Sequence, residues 1–364
     1  METVRTPVFK LEYNKKNITV DITDYLISID YEDATDGKSD TIDIELSNAS
    51  GKWLDEWYPA FGDTIKVSMG YDNQLFNCGT FEVDEMEVKF LPDIFFIKGL
   101  AAGIKSSTRT HASDSHENKS LRQIASKIAG KHGLTVAGDI DQAQIPRVTQ
   151  HRETDLGFLK RIAKDYGYVF SLRDKVITFT SIYKLETLNS VTTIDRDELK
   201  AEGNYIKDTS AGTYKKVHAV YHHPAQRKVN ETLFSFPEIS NGFSYQYNDI
   251  IKGDTKEIRQ KFDSNAQGKN KAIAQLHSAN SNQLEGRLAM VGNPLLLAGN
   301  NFNLTGMGRL SGRYHISESK HKLSVKTGYS TEIKIKRIGF ITIEKTKRKK
   351  PVKKKEVKIR IVKE

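Results

Sequence analysis

Ile27-Ser28-Ile29-Asp30-Tyr31, followed by Ile42-Asp43-Ile44-Glu45-Leu46, places an apolar side chain at every second position. A period of two belongs to a half-buried β-strand, because successive side chains point to opposite faces of a sheet. Asp36-Gly37 between the two runs has the chemistry of a turn. The same alternation extends outward to Ile18, Val20 and Ile22 on one side. On the other it continues through Ile65, Val67 and Met69, then Phe81 and Val83, then Met86, Val88 and Phe90. Asn48-Ala49-Ser50-Gly51 and Asp72-Asn73 supply turns between runs, and Ile94-Phe95-Phe96-Ile97 predicts a strand buried on both faces. So many short strands in close succession predict a barrel or sandwich over residues 1–108.

Beyond Thr108 the pattern changes. Arg109 to Asn118 is polar and predicts an exposed loop. Leu121, Ile124, Ala125, Ile128 and Ala129 then recur at helical spacing, with Ser120 or Asn118 as N-cap and Gly133 as the stop. A second helix is expected from Thr154 to Tyr166, closed by Gly167, and then a hairpin from Tyr168 to Thr180 turning at Arg173-Asp174. Together these make an α/β insertion over 109–190. Strands resume over 191–343, as in Tyr214 to Tyr221, Leu295 to Leu297, Phe302 to Leu304, Tyr314 to Ser317 and Tyr329 to Ile338. That region also contains polar connections over 225–262 and a helix-permissive stretch from Ser264.

The chain has 364 residues, 37% hydrophobic and 28% charged, which fits a folded protein of two or three domains. No apolar run reaches the ~20 residues of a membrane span. The start, Met1-Glu2-Thr3-Val4-Arg5, lacks the features of a signal peptide, so synthesis and assembly in a bacterial cytoplasm are expected. A formal charge of +10 suggests a polyanion partner, but residues 344–364 hold 11 basic and 3 acidic residues and so account for +8 of it. The nearly neutral body does not favour nucleic acid as a partner. Lys347, Arg348, Lys349, Lys350, Lys353, Lys354 and Lys355 in that basic tail are the candidate contacts to a polyanion or to the wall of a lumen.

Sites for catalysis, cofactors or metals are not evident. Cys78 is the single cysteine and reads as a buried small residue. Gly306, Gly308 and Gly312 miss the dinucleotide fingerprint and lie between strands, as turn glycines would. Asp33, Asp36, Asp40 and Asp43 do not fit a calcium loop, and a solvated hairpin accounts for them. His218 and His222 on a strand would sit about 13 Å apart, too far to share one metal. His315 and His321 are read as flanking a turn. No nucleophile elbow is present.

Three stretches carry a family resemblance. The first is Met69-Gly70-Tyr71 through Gly79-Thr80-Phe81-Glu82-Val83-Asp84. The second comprises Ser120-Leu121-Arg122-Gln123-Ile124-Ala125, His132-Gly133-Leu134, and Thr154-Asp155-Leu156 through Tyr166-Gly167-Tyr168. The third comprises Gly292-Asn293-Pro294 through Gly299, then Gly312-Arg313-Tyr314-His315, His321 and Gly328-Tyr329-Ser330-Thr331. In this order they resemble the phage late control D family, whose members are similar to tail hub proteins and to the N-terminal part of type VI spike proteins. The resemblance implies a mainly β fold with two related, tail-tube-like β-barrels and a small helix-helix-hairpin module. It also implies a structural, non-enzymatic homotrimer whose six barrels form a pseudo-sixfold ring between tail tube and central spike. Tube, spike, baseplate wedge and tape-measure proteins would be its partners, and a virion tail or injection particle its location. The alternatives are a nucleic-acid-binding protein acting through the basic tail and a tail-associated peptidoglycan hydrolase.

Overall fold

A computed structural model describes residues 5–35, 39–72, 74–101, 110–140, 142, 144–209, 211, 213–214, 216–223, 228–235, 255–259 and 265–339. The fold is mostly β. Among the described residues, one sheet holds 13 strands. Its main path runs Tyr205–Asp208, Leu284–Val291, Gly328–Gly339, Gly312–Ser324, Leu26–Ala34, Thr41–Ser47, Ile94–Ala101, Gln74–Lys89, Thr64–Tyr71, Pro7–Tyr13 and Lys16–Asn17. Residues from the two ends of the chain meet in its middle, where Gly312–Ser324 pairs antiparallel with Leu26–Ala34 from Glu318↔Ala34 to Ser324↔Ser28.

Three apolar clusters form the interior. One gathers residues such as Ile29, Ile42, Val67, Phe81 and Phe95, and it also takes in Leu323 and Tyr329 from the far end of the chain. A second, with Ile124, Ile128, Phe158, Leu159 and Phe179, lies within the α/β insertion. A third, with Leu288, Phe302, Tyr314 and Ile333, fills the C-terminal β region. Full burial of each such side chain contributes roughly 1.5–3 kcal/mol.

Local chemistry explains the helices of the insertion. Leu121–His132 begins with a capping box: the Gln123 N–H donates to Ser120 Oγ at 3.3 Å, and the Ser120 N–H to Gln123 Oε1 at 2.9 Å. Gly133, at φ +67°, ends it in the left-handed region. Asp155–Asp165 is capped by Thr154, which accepts from the Gly157 N–H at 3.1 Å. His132 Nε2 lies 2.8 Å from Asp155 Oδ2 and so ties the end of one helix to the start of the next.

The structure departs from several expectations. Ile18, Val20 and Ile22 do not lie on a strand: Thr19–Thr23 is a short helix, and Val20 is exposed. Asn17 Oδ1 takes the Thr19 N–H at 3.0 Å and turns the chain there. The expected loop before the first long helix is a strand, His111–Ser120, paired with Gln144–Thr154. Its side chains are mostly polar on both faces, so it carries no apolar period. Ile94–Ala101 alternates, with Phe95 and Ile97 buried and Ile94 and Phe96 only half-buried. Within 225–262, Lys228–Ser235 and Thr255–Arg259 form strands on either side of Lys216–His223. Leu295 to Leu297 is a turn: Asn293 Oδ1 accepts the Leu295 N–H at 3.1 Å, and Leu296 drops into the core.

Candidate functional site

The insertion's hairpin, Tyr168–Arg173 and Val176–Ser181, turns at Asp174-Lys175, both in the left-handed region. This two-residue turn drives Arg173 into the N-terminal β region. Its guanidinium reaches Asp40 Oδ2 from Nε at 3.2 Å and from Nη2 at 2.9 Å, and Nη2 donates to the Tyr31 hydroxyl at 2.6 Å. Asp33 Oδ1 lies 3.3 Å from the same nitrogen. Two backbone amides complete the joint. Ala298 N–H donates to Asp33 Oδ2 at 3.1 Å, and Thr80 N–H to Asp174 Oδ1 at 3.1 Å. The site therefore draws on all three parts of the chain.

Asp33 and Asp40 are buried, at 6% and 5% exposure. Burial, then the neighbouring Asp40, pushes Asp33 up to about 7, with Arg173 opposing. Burial also raises Asp40, again against Arg173. Burial disfavours the charge on Arg173, but Tyr31, Asp33 and Asp40 outweigh it and keep the guanidinium protonated. These aspartates are thus not the solvated hairpin expected of them. Asp36 and Gly37 lie outside the described residues. The missing signal was the partner, which arrives from more than 130 positions away.

A second, neutral joint adjoins the first. His321 pairs in register with Tyr31, and the two rings stack at 6.2 Å. Its Nε2 meets the Leu296 carbonyl at 3.1 Å and Ser319 Oγ at 2.8 Å; its Nδ1 meets the Tyr329 hydroxyl at 2.7 Å. The Leu296 carbonyl can only accept, so Nε2 carries the proton and Nδ1 accepts from Tyr329. Complete burial lowers His321 to about 4 and keeps it neutral. Tyr71 joins the same seam by donating to the Gly292 carbonyl at 3.1 Å, its ring edge-on to Tyr329. A Cβ on Gly292 would stand 2.0 Å from the Tyr329 ring, so only glycine fits. His321 and His315 do not flank a turn; both lie on Gly312–Ser324, where His315 Nδ1 meets Asn301 Oδ1 at 2.8 Å.

Other sequence candidates find structural places. Cys78 is buried in a strand, which raises its thiol far above the ordinary range. Gly306 and Gly308 sit in a turn at positive φ. Among the described residues no group of three or more His, Cys, Asp or Glu side chains could hold a metal. No helix among them is long and apolar enough to cross a membrane. Lys347, Arg348, Lys349, Lys350, Lys353, Lys354 and Lys355 lie outside the described residues.

A groove of about 450 Å³ opens in the N-terminal β region, with Leu46, Trp53, Trp57, Tyr58 and Ile97 among its apolar lining and Lys16, Asp21 and Glu56 among its charged residues.

Residues 101–326 match the phage tail baseplate hub (GPD) family. This chain belongs to that family. Membership makes it a component of the tail baseplate. Probable baseplate hub proteins of Escherichia phages 186 and P2 are each 30% identical to it, over 176 and 171 residues. Those matches cover 48% and 46% of this chain but only 44% and 43% of the relatives, so they span less than half of the relatives' length. Among solved structures, a tail protein from Neisseria meningitidis has a TM-score of 0.67 at 12% identity, covering 91% of this chain and 97% of its own. The 43 kDa tail protein of prophage MuSo2 from Shewanella oneidensis gives 0.65 at 13%, covering 91% and 98%. An E. coli component of the type VI secretion system gives 0.50 at 11%, covering 87% and 74%. These likenesses are of fold. In the baseplate hub chain, the Gly-Tyr stretch at Tyr71 and the stretch around Gly292, His321 and Tyr329 converge on one seam. The first and third of the stretches that carry the family resemblance therefore meet where the two ends of the chain are joined.

Proposed function

We propose that this baseplate hub chain is a structural subunit that assembles as a trimer with pseudo-sixfold symmetry and joins the tail tube to the central spike. The observation that carries this reading is the shared sheet. The N-terminal and C-terminal β regions each have their own apolar core, yet they are paired strand to strand through Leu26–Ala34 and Gly312–Ser324. A chain that supplies two β units held in fixed relation can turn three copies into six similar positions. In this reading the units are related barrels over 1–108 and 191–343, the module over 109–190 faces outward towards baseplate wedge proteins, and the basic tail over 344–364 acts through its charge. Tape-measure protein is a further partner, and no turnover is expected.

The test is the light-scattering mass of the full chain, alone and with its tube and spike proteins. A mass of three chains and co-elution with both partners are expected. A chain that stays monomeric with both partners present overturns the reading. Deleting residues 344–364 should leave assembly intact.

A further inference from the structure

The hairpin between Gln74–Lys89 and Ile94–Ala101 ends in Phe90-Leu91-Pro92, with Phe90 72% and Leu91 93% exposed. Leu91 has a backbone φ of +56°, a region that a bulky side chain adopts only under strain. An apolar pair held outward at a conformational cost, away from the core, marks a functional contact rather than a folding one. The tip is bracketed by charge, with Lys89 before it and Asp93 after it, both exposed. Lys89 Nζ lies 4.3 Å from the centre of the Phe96 ring and 3.9 Å from Glu87.

The groove beside Trp57 is the complement of that tip. Its apolar walls combine aliphatic side chains such as Leu46 and Ile97 with the rings of Trp53, Trp57 and Tyr58, and its charged residues carry both signs, Lys16 as well as Asp21 and Glu56. Since the chain's own Leu91 is almost fully exposed, it does not occupy the chain's own groove.

We propose that the Phe90-Leu91 tip of one copy seats in the Trp57 groove of the next, with Lys89 towards Asp21 and Glu56 and Asp93 towards Lys16. The occupant is a second copy because the same chain carries both an exposed apolar knob with a charge of each sign beside it and an apolar groove with charges of both signs in its lining. In a head-to-tail contact each copy gives a knob and receives one, and a rotation that closes turns the series into a ring. An apolar anchor in an aromatic pocket is the usual centre of such an interface. The proposal rests on the ring reading and specifies its contact.

Two experiments on the full chain test it. In the first, a chain carrying both Leu91→Cys and Tyr58→Cys is oxidised; Cys78 is buried and does not compete. A cross-linked ladder ending at the ring size is expected, with no such ladder from either single variant. In the second, Leu91→Arg and Tyr58→Arg are made separately, both at exposed positions. Each alone should weaken self-association by about 30-fold or more, as hot-spot residues do. Mixed one to one, they should form a heterodimer and nothing larger, because only one intact knob and one intact groove remain. Rings of undiminished mass in both arginine variants overturn the contact while leaving the trimer reading standing. Intact rings that lose only the tube or spike protein assign the groove to that partner and also overturn it. A native chain that stays monomeric with its partners overturns both.

Discussion

Around Arg173 this chain pairs ions; around His321, on the strand beside that of Tyr31, it buries only neutral hydrogen-bonding groups. Tyr31 belongs to both, its hydroxyl accepting from Arg173 and its ring stacked on His321. The neutral joint lies within the shared sheet, and each ring nitrogen of His321 has a partner. The ionic joint fastens the insertion to that sheet and sets two carboxylates against one guanidinium. Burial and the neighbouring Asp40 raise Asp33 to about 7, so its protonation changes the charge balance of the joint near neutral pH. The difference teaches that the β regions are joined by packing and fixed hydrogen bonds, whereas the insertion is fastened by a charge balance that pH can alter.

The hardest blow to this comparison is His321→Ala, which opens a cavity and takes from the Tyr329 hydroxyl its imidazole acceptor, although Ser319 and the Leu296 carbonyl keep each other. A loss of about 3–5 kcal/mol in urea unfolding is expected. Arg173→Met should cost less, about 2–3 kcal/mol at pH 8, since the guanidinium is partly solvent-exposed and water can partly replace it. Its cost should shrink at pH 5, where Asp33, raised to about 7, is protonated and one carboxylate fewer faces the cation. An equal cost at both values would dissolve the distinction between the joints. Gly292→Ala, pressed against Tyr329, should cost about 1–3 kcal/mol. Ser120→Ala removes a helix cap away from both joints, and about 1 kcal/mol is expected, unchanged between pH 5 and 8.

The two joints also titrate in opposite senses. Asp33 is raised from 3.8 to about 7, so its contribution is full below the lower value and is lost as pH rises through the upper one. His321 is lowered from 6.5 to about 4, so its contribution is full above 6.5 and is lost as pH falls through 4. His321→Phe should therefore flatten the acid limb of the stability curve and leave the alkaline limb in place, as followed by denaturant midpoints from pH 4 to 8.

Sequence reading reached the parts of the fold whose signals are local. The alternation at Ile42-Asp43-Ile44, the Ser120 cap and the helical spacing after Thr154 each state their structure within a few residues. It failed where a side chain answers to something remote or where no apolar period exists. Asp33 and Asp40 read as solvated because their cation is supplied by a hairpin of the insertion. The polar ribbon at His111–Ser120 has no apolar face to announce it. His321 reads as a residue beside a turn, and its buried role is hidden because its partners come from a turn and two strands. The groove and the Phe90-Leu91 tip were visible only in part: Phe90 read as the last inward residue of a strand, yet it stands outside the sheet.

The seam between Leu26–Ala34 and Gly312–Ser324 also has a mechanical consequence. It runs over seven facing residue pairs, and its hydrogen bonds lie across the strands rather than along them. A load drawn parallel to the strands must shear all of these bonds at once, whereas a load that peels the halves apart breaks them one by one. The subunit is therefore strong in one direction and weak in another, and any thrust passing through it is best borne along that strand axis.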